Sequence, residues 1–180
     1  MTPVASASKV RRLTPAHAVP YRELMLEAYE RHPDAFTSSV AERAALPQSW
    51  WEARLAEGIE PRDLVLGTFD GDQLTGVAGL AFETREKARH KATLVGMYVP
   101  TRYRQAGIGR RLVDAVLDHA RSRTGVRVVQ LTVTDGNAAA QSLYERCGFV
   151  AFGIEPLAVA VGARFVSKVH MWCDLRVERG

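Results

Sequence analysis

Cysteine is nearly absent: the 180-residue chain carries only Cys147 and Cys173, and neither stands at a spacing that metal ligands use. A zinc site or a disulfide framework therefore has no support, and a reducing, cytoplasmic setting is expected. Lysine is scarce too, with Lys9, Lys87, Lys91 and Lys168 alone, so the formal charge of +4 rests on arginines scattered along the chain. Without a basic stripe or interleaved aromatics, nucleic acid is not an expected partner; the mild excess suits a small polyanion instead. No apolar run approaches the ~20 residues that cross a bilayer, and residues 1–8 lack the hydrophobic core of a secretory leader. Membrane insertion and secretion are both disfavoured. There is no internal repeat and no low-complexity block.

What is present is enough for one domain. With 47% of its residues hydrophobic, a chain of this length buries about two-thirds of its unfolded surface. We place the domain at residues 9–175, with 1–8 disordered and 176–180 a frayed tail. A short strand at 9–13 precedes a helix that Thr14 caps, that Pro15 opens and that His32-Pro33 ends near Arg31. Residues 34–47 carry at most a turn of helix, and 47–57, with Trp50, Trp51 and Leu55, form a second one; at least one tryptophan should pack on a sheet. Apolar runs at 63–69 and 73–82 flank Asp70-Gly71-Asp72, a hairpin signal because Asp-Gly supplies the positive φ of tight turns. A charged connection at 83–91 leads to a strand at 92–99. Further strands are expected at 128–134, at 150–154 before a break at Glu155-Pro156, and at 166–175. Strands first, then strand, helix, strand, helix and strand, argue for an α/β fold with a mixed sheet.

The most specific local pattern follows the 92–99 strand. Met97-Tyr98-Val99 runs through Pro100 and Arg104-Gln105-Ala106-Gly107-Ile108-Gly109 into a helix whose apolar positions Ile108, Leu112, Val116 and Ala120 recur at four-residue steps. Glycines at 107 and 109 let backbone approach a ligand closely, and the unpaired N–H groups of a first helical turn favour an anion. A dinucleotide fingerprint would need a third glycine where Leu112 stands, and a P-loop would need Gly-Lys-Ser/Thr, which is absent. By itself the turn is a weak signal, since most such turns are plain strand-to-helix connections.

A second segment removes much of that ambiguity. After the 128–134 strand come Asn137, Ala140, Leu143-Tyr144 and Gly148-Phe149. With Arg104-x-x-Gly107-x-Gly109 before them, these residues resemble the two signature motifs of the GNAT superfamily of N-acetyltransferases, over residues 64–174. The resemblance implies a mixed, mostly antiparallel central sheet flanked by helices, with a splayed parallel strand pair holding an acyl-CoA. It implies acetyl-CoA as cofactor, with the pyrophosphate on backbone N–H groups of Gln105, Ala106, Gly107, Ile108 and Gly109 and with Arg104 and Arg110 nearby. The pantetheine arm would pair with backbone at Met97 and Val99, and Asn137 would cap the 138–147 helix and turn its amide toward the arm. Proline stands one place early relative to the family's Val-x-Pro step, which removes any donor at Pro100.

The resemblance further implies direct acetyl transfer to a primary amine, a small molecule being slightly favoured over a protein amine. Tyr144 would serve the departing thiolate. A phenol near ~10 is a weaker acid than a thiol near ~8.5, so a shortening hydrogen bond is expected unless the site lowers the phenol pKa. Glu83, Asp135, His170 or a water is the candidate base, and Cys147 is expected to pack rather than react. A homodimer is admitted. The competing reading is a regulatory module that binds acyl-CoA without catalysis.

Overall fold

A computed structural model describes residues 9–104 and 106–176. Strands β2 (Asp63–Asp70) and β3 (Gln73–Phe82) pair antiparallel across the expected hairpin, where Gly71 takes a φ of 57°. With β1 (Val10–Arg12), β4 (Lys91–Tyr98), β5 (Val128–Thr134), β6 (Val150–Val161) and β7 (Arg164–Asp174) they form one seven-stranded sheet in the order β1-β2-β3-β4-β5-β7-β6. Every neighbouring pair is antiparallel except β4 and β5.

The helices divide between the two faces, and strand alternation decides which residues meet them. On one face, Leu64, Leu66, Leu80, Leu94, Leu131 and Met171 pack with Leu112 and Val116 of α4 (Ile108–Ser122) and with Tyr144 of α5 (Ala138–Arg146). On the other, Val65, Val77 and Tyr98 pack with Tyr21 and Met25 of α1 (Ala18–Arg31) and with Trp51 of α3 (Gln48–Arg54). Trp51 is only 1% exposed, whereas the neighbouring Trp50 lies against the guanidinium groups of Arg43 and Arg54. The short α2 (Val40–Ala44) is held by a capping box between Ser39 and Glu42.

One irregularity shapes the centre of the sheet. Val77 faces Tyr98 and Gly79 faces Val95, so β4 carries one residue more than β3 over this interval, and Gly96 absorbs it with a φ of 58°. Such a bulge bends the strand that holds it. The β4–β5 ladder runs only from 91–93 against 128–130, and beyond it the strands diverge into a V whose lips are Tyr98 and Thr134.

Two expectations change in detail. The first turn of the opening helix is a 3-10 turn, Pro15–His17, before α1 begins. The break expected at Glu155-Pro156 does not end the strand, since β6 runs on to Val161 and turns at Gly162. As the sheet's edge strand, β6 needs no N–H from Pro156, and the distortion is taken up by a register shift between Glu155 and Val159 with Leu157 at a φ of 52°. The expectations for residues 1–8 and 177–180 lie outside the described residues.

The bulge makes a stability prediction. A Cβ on Gly79 would sit 2.9 Å from the Val95 carbonyl oxygen and 3.0 Å from Val95 Cγ2, whereas one on Gly58 meets nothing within 4 Å. Gly79→Ala should therefore cost about 1–3 kcal/mol in denaturant unfolding and Gly58→Ala less than about 0.5 kcal/mol. Equal effects at the two positions would contradict the packing of the bulge.

Candidate active site

The turn after β4 uses its two glycines for different purposes. Gly107, the residue that caps α4, has a φ of 71°, a left-handed conformation in which a side chain is strained. Gly109 lies two residues further on, where an added Cβ would come 3.1 Å from Leu143 Cδ2 and 3.4 Å from Met97 Cε. The first glycine thus aims the helix, and the second lets α4 close onto α5 and the end of β4.

The arginines around this turn are held mostly by carbonyl oxygens. Arg111 folds back to donate from Nη1 to the Ala106 carbonyl at 2.9 Å, and its Nε is buried with no hydrogen-bond partner among the described residues. Arg104 donates from Nε to the Val99 carbonyl at 2.9 Å, with Nη2 3.3 Å from His32 Nε2. Arg110 points outward to Asp114. The first turn of α4 carries no acidic residue. A left-handed glycine, a helix N-terminus and an orphaned guanidinium N–H together fit a diphosphate, so the residues present suit the CoA moiety that the motif implies. The expected contribution of Gln105 lies outside the described residues.

The second half of the site stands on α5. Asn137 Oδ1 accepts from the Ala140 N–H at 3.2 Å, so the expected cap is made. Tyr144 is 8% exposed, and its hydroxyl donates to Met97 Sδ at 3.5 Å, directly after the bulge of β4. Its ring meets Phe149, and Cys147 is fully buried in the same core. Burial, with a smaller contribution from Cys147, pushes the Tyr144 phenol up to about 12. The fold therefore brings Met97, Gly109, Tyr144 and the start of α4 together where the V opens.

The candidate bases are dispersed. Glu83 follows β3 at the closed end of the V, bonded through its N–H to the Lys91 carbonyl and through its carboxylate to Arg85, whose hydrogen bonds hold that carboxyl down at about 2. His170 sits on β7 opposite Thr132, with Nε2 2.7 Å from Glu155 Oε2 and its ring near Phe152. Asp135 alone follows directly on a lip of the V, exposed, its N–H donating to the Ser167 carbonyl at 2.9 Å. Among the described residues no group of three His, Cys, Asp or Glu could hold a metal ion.

Sequence reasoning missed the groups that converge on the other face of the V. Tyr98 donates to Glu27 Oε1 at 3.0 Å, where Arg102 also binds. Burial opposes the Glu27 charge, yet the hydrogen bonds from Arg102 and Tyr98 prevail and hold its pKa below the usual carboxylate value. His32 packs on the Tyr98 ring. Its burial and the Arg104 cation hold the imidazole below its ordinary pKa, so it is neutral at pH 7. No periodicity or spacing could have joined residues so far apart in the chain.

Residues 22–149 match the Acetyltransferase (GNAT) family. The chain belongs to this family. Over 69 residues it is 38% identical to the [ribosomal protein bS18]-alanine N-acetyltransferase of Escherichia coli K12, a match that covers 38% of this chain and 46% of that protein. This chain thus aligns with just under half the length of that relative. Over 129 residues it is 28% identical to an L-methionine sulfoximine/L-methionine sulfone acetyltransferase of Pseudomonas paraeruginosa, covering 71% of this chain and 68% of that one. In fold it is similar to yncA from Salmonella typhimurium, solved with its cofactor acetyl-CoA, at a TM-score of 0.77 and 22% identity over 96% of each chain. A mixed α/β sheet with, among the described residues, a single parallel pair is the architecture the motifs implied.

The burial of Tyr144 is directly measurable. The difference in phenolate absorbance between wild type and Tyr144→Phe should stay near zero up to about pH 11, because burial places this ionisation near 12. A difference that develops around pH 10, the ordinary phenol range, would place Tyr144 in solvent.

Proposed function

We propose that this protein is an N-acetyltransferase that moves an acetyl group from acetyl-CoA directly to a primary amine, acting in the cytoplasm. The observation that carries the reading is the meeting of Tyr144 with Met97 beside the α4 N-terminus, at the opening of the V. Bound acetyl-CoA supplies a thioester, whose acyl carbon the amine attacks and whose thiolate departs. The α4 N-terminus, with Arg111 and Arg104, holds the diphosphate; backbone at Met97 and Val99 and the Asn137 amide guide the arm. The Tyr144 hydroxyl donates a hydrogen bond to the departing sulfur. With the phenol near 12 and a thiol near ~8.5, full proton transfer would be uphill by about 5 kcal/mol, so Tyr144 stabilises charge and keeps its proton. The amine's proton leaves to water at the mouth, where Asp135 stands.

A small acceptor is favoured over a protein. The relative that acts on methionine analogues matches this chain over 71% of its length, against 38% for the relative that acts on a ribosomal protein's alanine. A tyrosine hydroxyl at the mouth of the V also speaks against the regulatory alternative, which would bind acyl-CoA without needing a donor there.

Release of CoA thiol from acetyl-CoA, with L-methionine sulfone or an alanine-initiated hexapeptide as acceptor, tests this reading. Turnover of the sulfone above the peptide is expected. Tyr144→Phe should lower kcat about 10²-fold while acetyl-CoA affinity, read from the thermal shift, is unchanged. Thermal stabilisation by acetyl-CoA with unchanged kcat in the variant would remove Tyr144 from the mechanism; stabilisation without any turnover would favour the regulatory module.

A further inference from the structure

Residues 32–35 cross the open end of the V from one lip to the other. At the β4 lip, the His32 ring centroid lies 5.7 Å from that of Tyr98, the last residue of β4, and His32 Nε2 lies 3.3 Å from Arg104. At the β5 lip, Thr134, the last residue of β5, donates from Oγ1 to the Asp34 carbonyl at 2.8 Å. Lys168, paired with Thr134 in the β5–β7 ladder, donates from Nζ to the carbonyls of Asp34 at 3.0 Å and Ala35 at 3.1 Å and to Thr134 Oγ1 at 2.9 Å. The strap lies on the face that carries α1, opposite the face of α4 and Tyr144.

The chemistry of this clamp is unusual for a lysine. Lys168 is 5% exposed and, among the described residues, makes no direct ion pair, although the Asp34 and Glu155 carboxylates lie near enough to favour its charge. Its three ammonium protons are matched by three neutral oxygens, which is the full donor capacity of the group. A buried cation is retained at a cost in desolvation; two of the hydrogen bonds that offset it tie the carbonyls of 34–35 to β7, and the third joins Lys168 to Thr134 at the end of β5. The helix before the strap cannot extend through it, because Pro33 stops α1 at Arg31.

We propose that Lys168, together with Thr134, is a positioning residue for the acceptor: it clamps the 32–35 strap across the mouth, so that the amine meets the V along a wall whose position Lys168 sets. This rests on the acetyltransferase reading above. The cofactor's phosphates are met on the α4 face, so loosening the strap alters acceptor recognition and leaves acetyl-CoA binding in place.

The test compares wild type, Lys168→Met and Thr134→Val, the second being nearly isosteric and retaining the ammonium. In the protein without acceptor, the Ala35 amide, which donates to the His32 carbonyl at 3.0 Å, should exchange about tenfold faster or more in Lys168→Met and by a smaller factor in Thr134→Val. Acetyl-CoA affinity should stay within about twofold, while KM for whichever of L-methionine sulfone and the alanine-initiated hexapeptide is turned over rises about tenfold and kcat changes less. Unchanged Ala35 exchange in both variants overturns the clamp, and so does a fall in acetyl-CoA affinity parallel to the rise in KM. A loosened strap with unchanged KM overturns the positioning role. If wild type turns over neither acceptor, the acceptor assignment fails and the positioning role with it, whereas the exchange experiment still decides the clamp by itself.

Discussion

The parallel ladder between β4 and β5 stops after three residue pairs, and the rest of the site depends on that stop. A continuous ladder would consume the backbone groups of both strands. The bulge at Gly96 bends β4 out of register with β3, and the divergence leaves a slot between buried strands with backbone groups for an extended ligand to meet. α4 begins just past one lip and α5 just past the other, so the helix N-terminus and the Tyr144 hydroxyl arrive at the same opening. Gly109 and Leu143 permit the close approach of the two helices that this requires.

Several cations at this opening are held by backbone carbonyls. Away from the V some cations pair with carboxylates, as Arg85 does with Glu83, Arg121 with Asp118 and Arg127 with Asp174, while Arg12, Arg22 and Arg123 donate to carbonyls. Around it, Arg104, Arg111 and Lys168 donate to the carbonyls of Val99, Ala106, Asp34 and Ala35, while Arg102 binds Glu27 and Arg110 binds Asp114. A carbonyl orients a cation without cancelling its charge. Arg104 and Arg111 thus keep their charge at the opening, where a polyanionic cofactor would dock.

Local signals in the chain were legible because they rest on local sterics. Asp70-Gly71-Asp72 turns because glycine reaches positive φ, Thr14-Pro15 opens a helical segment, and Ile108, Leu112, Val116 and Ala120 share one helix face at any position in a fold. Pro156 misled for the opposite reason: whether a proline ends a strand depends on whether a neighbour needs its N–H, and only the sheet order makes β6 an edge. Glu83 and Asp135 likewise look equivalent along the chain as carboxylates at strand ends, yet the parallel pairing sends one to the closed end of the V and the other to the open end.

The amino-acid sequence by itself determined the class of fold, the glycine turn between β4 and α4 and, through the resemblance of its two motifs, the family, since each motif is written in residues within a few positions of one another. Tertiary structure alone decided that Gly109 serves helix packing, that burial raises the Tyr144 phenol above its ordinary range, and that Lys168 joins a segment 134 residues away. Those properties belong to pairs of distant groups and to the low dielectric between them, and they come into existence only when the sheet closes the distance.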